Sequence, residues 1–273
     1  MKFVKRLSII FLWILLIFTV LYFPTWKIFP TQEKSINIFA WGDILSFDVL
    51  ADFEKETGIK VNLSFYATNE ELQVKMQATK GVGYDLIMPS NYTIPLLVKE
   101  ELLKPLDHAK IDFINELNPL LLNLSFDPGN RYSIPFSWEI YGLGVDRNFF
   151  KNRPFVPSWK AIYDSEIINY RIAVQNDPIE AVALAAFYLF GKPKDITPEK
   201  FTQIKDLLLK QRNWVEAYSD FRAPYFIATG NCPIAVTSNS YIRKIHSLYP
   251  NIDFVVPQEG SFITIENFCI PKA

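Results

Sequence analysis

The sequence predicts an α/β fold of two lobes, each a mixed sheet flanked by helices, which follows an N-terminal apolar helix. A chain of 273 residues, 49% of them hydrophobic, is long enough to form one large domain or two lobes. Short apolar strands alternate with helices between residues 35 and 92, and the same alternation begins again at residue 170. Strand–helix–strand units form parallel strands with right-handed crossovers, so the two series predict two lobes built in this way.

The N-terminal segment, residues 1–30, predicts export. Three basic residues among the first six precede an uncharged apolar run from Leu7 to Trp26. This pattern is typical of a segment that enters the membrane and leaves its basic end in the cytoplasm. Signal peptidase requires small residues before its cut, but no alanine precedes Ala40. Residues 1–30 are therefore predicted to be a signal peptide or, preferably, a retained membrane anchor.

The first lobe is predicted to span residues 35–134. Its first helix ends at Gly58, a residue typical of helix C-termini, and its apolar residues share one face. That face consists of Phe47, Leu50, Ala51 and Phe53. The predicted strands are Ser35 to Trp41, Lys60 to Tyr66 and Tyr84 to Met88. The predicted helices are Leu45 to Thr57, Asn69 to Thr79, Thr93 to Leu102 and Phe113 to Leu122.

The second lobe is predicted to span residues 135–257, after a crossing between the lobes near Ile134 to Tyr141. Its predicted strands are Trp138 to Asp146, Tyr170 to Val174, Trp214 to Ala217, Ile234 to Thr237 and Ile252 to Val256. Its predicted helices are Asp177 to Phe190 and Pro198 to Arg212. A further apolar strand is predicted at Ile263 to Phe268.

Charge and composition exclude several classes of function. The 28 basic and 29 acidic side chains give a net charge of -1, so the sequence lacks the basic footprint of a nucleic-acid partner. The two histidines, His108 and His246, have no second ligand at a metal-binding spacing. The sequence contains no glycine-rich phosphate loop. We therefore predict no metal site and no cofactor.

The two cysteines, Cys232 and Cys269, leave two alternatives open. Export would place them in an oxidising compartment, which permits a disulfide. Cys269 also lies in an apolar strand, where a free cysteine behaves as a small buried hydrophobic residue. We favour two free, buried thiols.

Three polar or aromatic clusters follow the first three predicted strands. The clusters are Trp41-Gly42-Asp43, Tyr66-Ala67-Thr68-Asn69 and Met88-Pro89-Ser90-Asn91-Tyr92. Because the carboxyl ends of parallel strands share one edge of a sheet, the clusters should converge on a ligand crevice. Trp41, Ser90 and Tyr92 are the candidate binding residues, with Asp43 as a further candidate, although packing and turn formation explain the same residues.

Carboxylates supply the second set of candidates. Asp177-Pro178-Ile179-Glu180 fits a helix capping box, and it equally fits a pair of carboxylates that face a cleft and attract an amine. Glu266 lies among apolar residues, either at a sheet edge or facing the cleft. Trp138, a further candidate, packs the crossing or forms a wall of the cleft. Asp177 and Glu180 share one helical turn, so they are not placed on opposite sides of a substrate, and we predict no enzyme.

Five segments together give the chain a family resemblance from about Ile36 to Pro271. They are Phe53 to Val61, Tyr84 to Tyr92, Tyr132 to Phe136 with Trp138, Gly142 to Val145, and Val256 to Gly260. They resemble the periplasmic spermidine/putrescine-binding proteins of bacterial polyamine ABC importers. The resemblance implies a two-lobed, type II periplasmic-binding-protein fold that closes over its ligand. It also implies that residues 258–273 return to the first lobe.

The same resemblance implies roles for individual residues. Trp41, Ser90 and Tyr92 match first-lobe residues that contact the ligand. Asp177 and Glu180 match second-lobe carboxylates that bind ammonium groups. Glu266 stands where the family has an aspartate for the same task. At three positions the chain departs from the family, because Ile44 replaces a tyrosine and two tryptophans are replaced. Ser238 and Thr264 stand in place of those two tryptophans, and both are further candidate site residues. Each lost cation–π contact would weaken ligand binding by ~0.5 to 2 kcal/mol.

The function predicted from the resemblance is that of an extracytoplasmic solute-binding protein. It would bind a polyamine or another small cationic amine and deliver it to permease subunits of an ABC importer. Its predicted location is the periplasm, attached to the inner membrane if residues 1–30 are retained. The alternative is a degenerate or repurposed binding or sensor module with a different ligand or none. The chain ends before helices that the family carries, so we also expect a truncated descendant or a fragment, with apolar surface of the first lobe uncovered.

Overall fold

The computed structural model describes residues 11–19, 34–42, 44–191, 195–219 and 222–272. Within these residues, nine strands form one mixed sheet in the order β2-β1-β3-β9-β4-β7-β5-β6, with β8 paired to β4. The strands are β1 (Ser35–Trp41), β2 (Lys60–Tyr66), β3 (Leu86–Ile87), β4 (Ser133–Asp146), β5 (Ile172–Gln175), β6 (Val215–Ser219), β7 (Ile234–Ser238), β8 (Ile252–Val255) and β9 (Ile263–Cys269).

Helices flank the sheet and connect its strands, as the alternating sequence pattern predicts. They are α1 (Phe47–Thr57), α2 (Asn69–Thr79), α3 (Ile94–Lys99), α4 (Arg147–Phe150), α5 (Lys160–Tyr163), α6 (Pro178–Phe190), α7 (Pro198–Gln211), α8 (Ala223–Ala228) and α9 (Asn239–Ile245). The predicted α/β class is confirmed, and the bounds predicted for β1, β2 and α2 match those observed.

Strand β4 passes from one lobe to the other. Its first part, residues 133–140, pairs with β9, which also pairs with β3, and both pairings are antiparallel. Its second part pairs with β7 and β8. We call β1, β2, β3, β9 and residues 133–140 the sheet of the first lobe, and residues 141–146 with β5 to β8 the sheet of the second lobe. The lobe boundaries at residues 134 and 257 stay a prediction.

The two faces of the first-lobe sheet are packed unequally. One face carries a core of ten buried side chains, among them Leu72, Met76 and Ile87. The other face has three buried residues, which are Ile38, Ala40 and Met88. Helix α1 contributes to neither core, since none of its residues is buried and Phe47 is 72% exposed. The apolar face predicted for this helix is therefore largely open to solvent.

The second lobe has a larger core, and one tryptophan attaches the return segment to it. Trp159 is fully buried, and its indole N–H donates to the carbonyl oxygen of Gly260 at 2.8 Å. The Glu259 carboxylate accepts hydrogen bonds from the Trp159 backbone N–H and the Ser158 hydroxyl. These contacts fix residues 256–262, the segment that leads the chain from β8 back to β9 in the first lobe.

One predicted helix is wrong. The segment from Phe113 to Leu122 forms short 3-10 turns, Asp112–Glu116 and Pro119–Leu121, in place of an α-helix. Pro119 lacks a backbone N–H, and the Asn118 side chain accepts a hydrogen bond from the Leu120 N–H. Both features lie between the two turns and prevent one α-helix from running through residues 113–122.

The N-terminal segment and the cysteines are the remaining parts of the prediction. Residues 11–19 are helical, and the rest of the predicted anchor, residues 1–30, lies outside the described residues. Of the helices in the described ranges, none is long and apolar enough to cross a bilayer. Cys232 and Cys269 are both free and buried, in different hydrophobic clusters. The favoured prediction of two free thiols is confirmed.

Candidate functional site

A cavity of about 190 Å³ lies where β1, β4, β9 and the start of α6 meet, between the two lobes. Four of the predicted candidates, Trp41, Asp177, Glu180 and Glu266, line it, and so does Trp138, which is 50% exposed. Apolar and aromatic residues from both lobes complete much of its wall. These are Ile44, Tyr66, Phe136, Tyr141 and Tyr241.

Glu266 is the buried carboxylate of the first lobe, and it is held by two predicted site residues. The Trp41 indole N–H donates to its Oε2 at 2.7 Å. The Ser90 hydroxyl lies 2.8 Å from its Oε1 and 3.0 Å from its Oε2. Glu266 is only 6% exposed, and burial raises its pKa to about 8 against the opposing effect of these hydrogen bonds. Of the two alternatives for Glu266, the cleft-facing one agrees with the structure.

Asp177 and Glu180 form a helix cap and also face the cavity. The Asp177 carboxylate accepts the Glu180 backbone N–H at 2.9 Å, and Pro178 occupies the first helical position. Both side chains are buried, and burial raises the pKa of each. The charge of Asp177 is the second cause of the raised pKa of Glu180. Capping and a cleft-facing position, the two alternatives from the sequence, therefore occur together.

Tyr92 connects the two lobes through these acids. Its hydroxyl lies 3.1 Å from Oδ2 of Asp177 and 3.5 Å from Oε1 of Glu180. The Asn69 side-chain amide donates to the Tyr92 oxygen at 2.8 Å and to the Ser90 oxygen at 3.0 Å. Ser90 and Tyr92 do not belong to the cavity lining, so they act on the site through the carboxylates that they contact.

The described residues of the three predicted clusters do converge. The Trp41 and Tyr66 rings lie 4.6 Å apart, and the Tyr66 hydroxyl donates to the Met88 carbonyl oxygen. Asn69 then joins the second cluster to Ser90 of the third. Asp43, the further candidate in the first cluster, lies outside the described residues.

The two positions with lost tryptophans lie deeper in the wall of the cleft. Ser238 and Thr264 are fully or nearly fully buried, and neither lines the cavity. The Ser238 hydroxyl donates to Oε2 of Glu139 at 2.5 Å. Thr264 has no hydrogen-bond partner for its hydroxyl among the residues that the structure describes. Ser238 therefore reaches the site through Glu139.

Sequence reasoning missed several residues of the cavity. Glu139 lines it from β4, while Lys244 lines it from α9. Asn69 was part of a predicted cluster, but it was not singled out as a site residue. The signal for Glu139 was its place two residues before Tyr141 in the predicted crossing, which puts both side chains on one face of the strand. Which face that would be depends on the pairing with β9, and the sequence alone did not give that pairing.

The chemistry of the cavity favours a cationic ligand. Four carboxylates and one lysine, Lys244, line it, together with several aromatic residues, so acidic groups outnumber basic ones. Carboxylates hold ammonium groups by charge-assisted hydrogen bonds, and aromatic rings attract cations while they cover methylene groups. Across the residues that the structure describes, no three histidine, cysteine or acidic side chains are grouped so that they could hold a metal ion.

Comparison with known proteins places most of the chain in one protein family. Residues 48–273 match the family model described as bacterial extracellular solute-binding protein. Over 250 residues, the chain is 31% identical to spermidine/putrescine-binding periplasmic protein 1 of Haemophilus influenzae, with 90% of this chain and 68% of that protein covered. It is 28% identical to a putrescine-binding periplasmic protein of Escherichia coli, with 88% and 69% covered.

Solved structures agree with this result. The fold superposes with a TM-score of 0.80 on a putative spermidine/putrescine ABC transporter protein from Listeria monocytogenes, at 30% identity, covering 88% of this chain and 73% of that one. A spermidine/putrescine substrate-binding protein from Streptococcus pneumoniae gives a TM-score of 0.69, also at 30% identity and with the same coverage. The predicted resemblance and the predicted periplasmic-binding-protein fold are confirmed.

Proposed function

The chain belongs to the bacterial extracellular solute-binding proteins, and from this membership we propose that it binds a polyamine such as spermidine or putrescine between its lobes. The protein is an extracytoplasmic solute-binding protein of the transport class, and it is not an enzyme. Its relatives include proteins named for spermidine, putrescine, or both. The identity of the solute is the part of the function that we propose for this chain.

One observation carries the proposal: three buried carboxylates from the two lobes meet at one cavity. Asp177 and Glu180 are 5% and 3% exposed, and Glu266 is 6% exposed. A buried carboxylate costs free energy unless a hydrogen bond or an opposite charge compensates it. A linear amine with several ammonium groups supplies the compensating charge to acids on both lobes at once, so it favours the closed arrangement.

The aromatic residues suit the apolar part of the same ligand. Trp41 lines the cavity beside Glu266, and Trp138 and Phe136 line it from β4. Rings stacked along a chain of methylene groups remove apolar surface from water and attract the neighbouring ammonium groups. These contacts support a thin cation rather than a compact metal ion.

The partner and the location are also proposals. We infer that the loaded protein docks on the permease subunits of an ABC importer at the outer face of the inner membrane. The basic residues before the apolar run in residues 1–30 support attachment to that membrane. The name periplasmic, which its relatives carry, supports the same compartment.

Calorimetric titration of the purified 273-residue protein with spermidine and putrescine tests the proposal. The Asp177→Asn variant removes one cleft charge, and Asp206→Asn makes the same change on the exposed side of α7. We expect binding by the wild type and by Asp206→Asn, and binding at least about tenfold weaker in Asp177→Asn. Equal affinities in all three proteins, or no heat with any polyamine, would refute the assignment.

A repurposed module that holds no polyamine is the second candidate, because Tyr92 already supplies a hydrogen bond to Asp177. Such a module would close its lobes without a solute. Titration separates the two functions, because a repurposed module gives no binding heat with either polyamine.

A further inference from the structure

Glu139 is a carboxylate of the cleft that the roles described so far do not use. It is half-buried on β4 and lines the same cavity as Asp177, Glu180 and Glu266. In the pairing of β4 with β9, Glu139 lies opposite Thr264, and Ser137 lies opposite Glu266. Side chains of paired and alternate residues share one face of a sheet. Glu139 and Glu266 therefore belong to the same face, one diagonal apart.

Two serines position the Glu139 side chain. The hydroxyls of Ser238 and Ser240 both donate to its Oε2, and the two hydroxyl oxygens are 2.8 Å apart. Ser238 ends β7 and Ser240 lies in the first turn of α9, so second-lobe elements fix the carboxylate. Because both hydrogen bonds end on Oε2, the serines leave Oε1 for a ligand.

A second observation supports a ligand that donates a hydrogen bond, because one buried oxygen of Glu180 has no partner among the described residues. Oε2 of Glu180 has no hydrogen-bond partner within the described ranges, although Glu180 is only 3% exposed and lines the cavity. Buried carboxylate oxygens are nearly always hydrogen-bonded. Burial, then the charges of Asp177 and Glu139, raise the pKa of Glu180 against the opposing effect of a hydrogen bond with Tyr141, and a bound cation would compensate these charges.

The spacing of the acids matches a ligand with two ammonium groups. Diagonal neighbours on paired strands have Cα atoms roughly 7–8 Å apart. A diamine with four methylene groups has five bonds of about 1.5 Å between its nitrogens and spans about 6 Å when extended. Trp41 and Phe136 also line the cavity, and their rings can cover the methylene groups.

We propose that Glu139, held by Ser238 and Ser240, is the binding subsite for the second ammonium group of a linear diamine or polyamine whose first ammonium group is bound by Asp177, Glu180 and Glu266. This inference rests on the proposed function and names a residue that sets selectivity within it. Glu139 then makes the cleft prefer a diamine over a monoamine of the same chain length.

The test compares putrescine with butylamine, which has the same four carbons and one ammonium group, by calorimetric titration of the full-length protein. The wild type should bind putrescine more tightly, and Glu139→Gln should weaken putrescine binding roughly 10- to 100-fold. The same variant should leave butylamine binding within about twofold of the wild type. If the ratio of putrescine affinity to butylamine affinity is the same in Glu139→Gln as in the wild type, the inference is overturned.

Controls separate this outcome from misfolding and from failure of the proposed function. Glu166→Gln makes the same change at an exposed residue and should leave both affinities unchanged. If Glu139→Gln does not fold, Ser240→Ala, which removes one of the two donors, should lower the same ratio, and an unchanged ratio again overturns the inference. If Asp177→Asn loses amine binding while Glu139→Gln binds both amines as the wild type does, only this subsite is refuted. If the wild type binds no amine, the proposed function itself is refuted.

Discussion

Tyr92 of the first lobe donates a hydrogen bond across the cleft to Asp177 of the second lobe, 3.1 Å away. The Asn69 amide donates to the Tyr92 oxygen, which leaves the hydroxyl proton for the acids of α6. The tyrosine is therefore a direct polar link between the lobes, in the place where a solute would also meet Asp177. Burial and the nearby charges of Glu180 and Asp177 raise the pKa of Tyr92, so it stays a donor.

Tyr92→Phe should open the cleft. Loss of one hydrogen bond to a carboxylate, worth about 1 kcal/mol, lowers the ratio of closed to open protein roughly fivefold. Fluorescent labels on Lys75→Cys in α2 and Asp206→Cys in α7, both at exposed positions, report the distance between the lobes. The mean distance should increase in Tyr92→Phe and return towards the wild-type value with spermidine. An unchanged distance would show that this link does not hold the lobes.

The buried acids should make stability fall as pH rises. Burial raises the pKa of Glu266 to about 8, from an ordinary value near 4.5, so the folded state binds a proton that the unfolded state releases in this range. The stabilisation from this group is complete below pH 4.5 and is lost as pH rises to about 8. The free energy of unfolding falls by up to about 1.4 kcal/mol per pH unit within that window.

Urea unfolding of the polyamine-free protein between pH 5 and pH 8 measures this dependence. Glu266→Gln removes the titrating group, so its stability should fall less steeply with pH, while exposed Glu166→Gln should follow the wild type. Identical slopes in Glu266→Gln and the wild type would mean that Glu266 titrates normally.

The two thiols should be unreactive in the folded protein. Burial raises the pKa of Cys232 to about 12 and also raises the pKa of Cys269, so neither forms a thiolate near neutral pH. Ellman's reagent should find no reactive thiol in the native protein and two per chain in urea. Fewer than two in urea without a reductant would contradict the assignment of free cysteines.

Gly142 should not tolerate a side chain. A Cβ at this position would lie 2.7 Å from the tip of the Phe254 ring and 2.5 Å from the Val255 carbonyl oxygen. Gly142→Ala should therefore lower the free energy of unfolding by about 1 to 3 kcal/mol in urea denaturation. Gly58→Asn is the control, because Gly58 has a left-handed φ of 67° that asparagine adopts and nothing within 4 Å of its Cβ position. A neutral Gly142→Ala would show that β8 can move away from β4.

The sequence was sufficient for the local elements and for much of the acidic half of the site. Asp177 and Glu180 are readable because proline and the cap residue define the start of α6 within four positions. Convergence at Ser90 is readable because strands β1 to β3 are parallel and near in sequence. Local signals of this kind need no knowledge of distant pairing.

The rest depended on contacts between distant residues. Glu139 meets Ser238 and Ser240 across about a hundred positions, and its face is fixed by the register of β4 with β9. No local pattern specifies that register. The exposed Phe47 of α1 illustrates the same limit, since an amphipathic pattern predicts an apolar face without showing what packs on it.

Proton release on polyamine binding tests the central claim most directly. An ammonium group binds ionised carboxylates, and burial raises the pKa of Glu266 to about 8, so we expect binding at pH 7 to displace a proton from this residue. Spermidine titrated at pH 7 in two buffers of different ionisation enthalpy should give binding heats that differ in proportion to the protons released. We expect net release of protons by the protein and less release in Glu266→Gln. Binding heats that are equal in the two buffers would contradict the account.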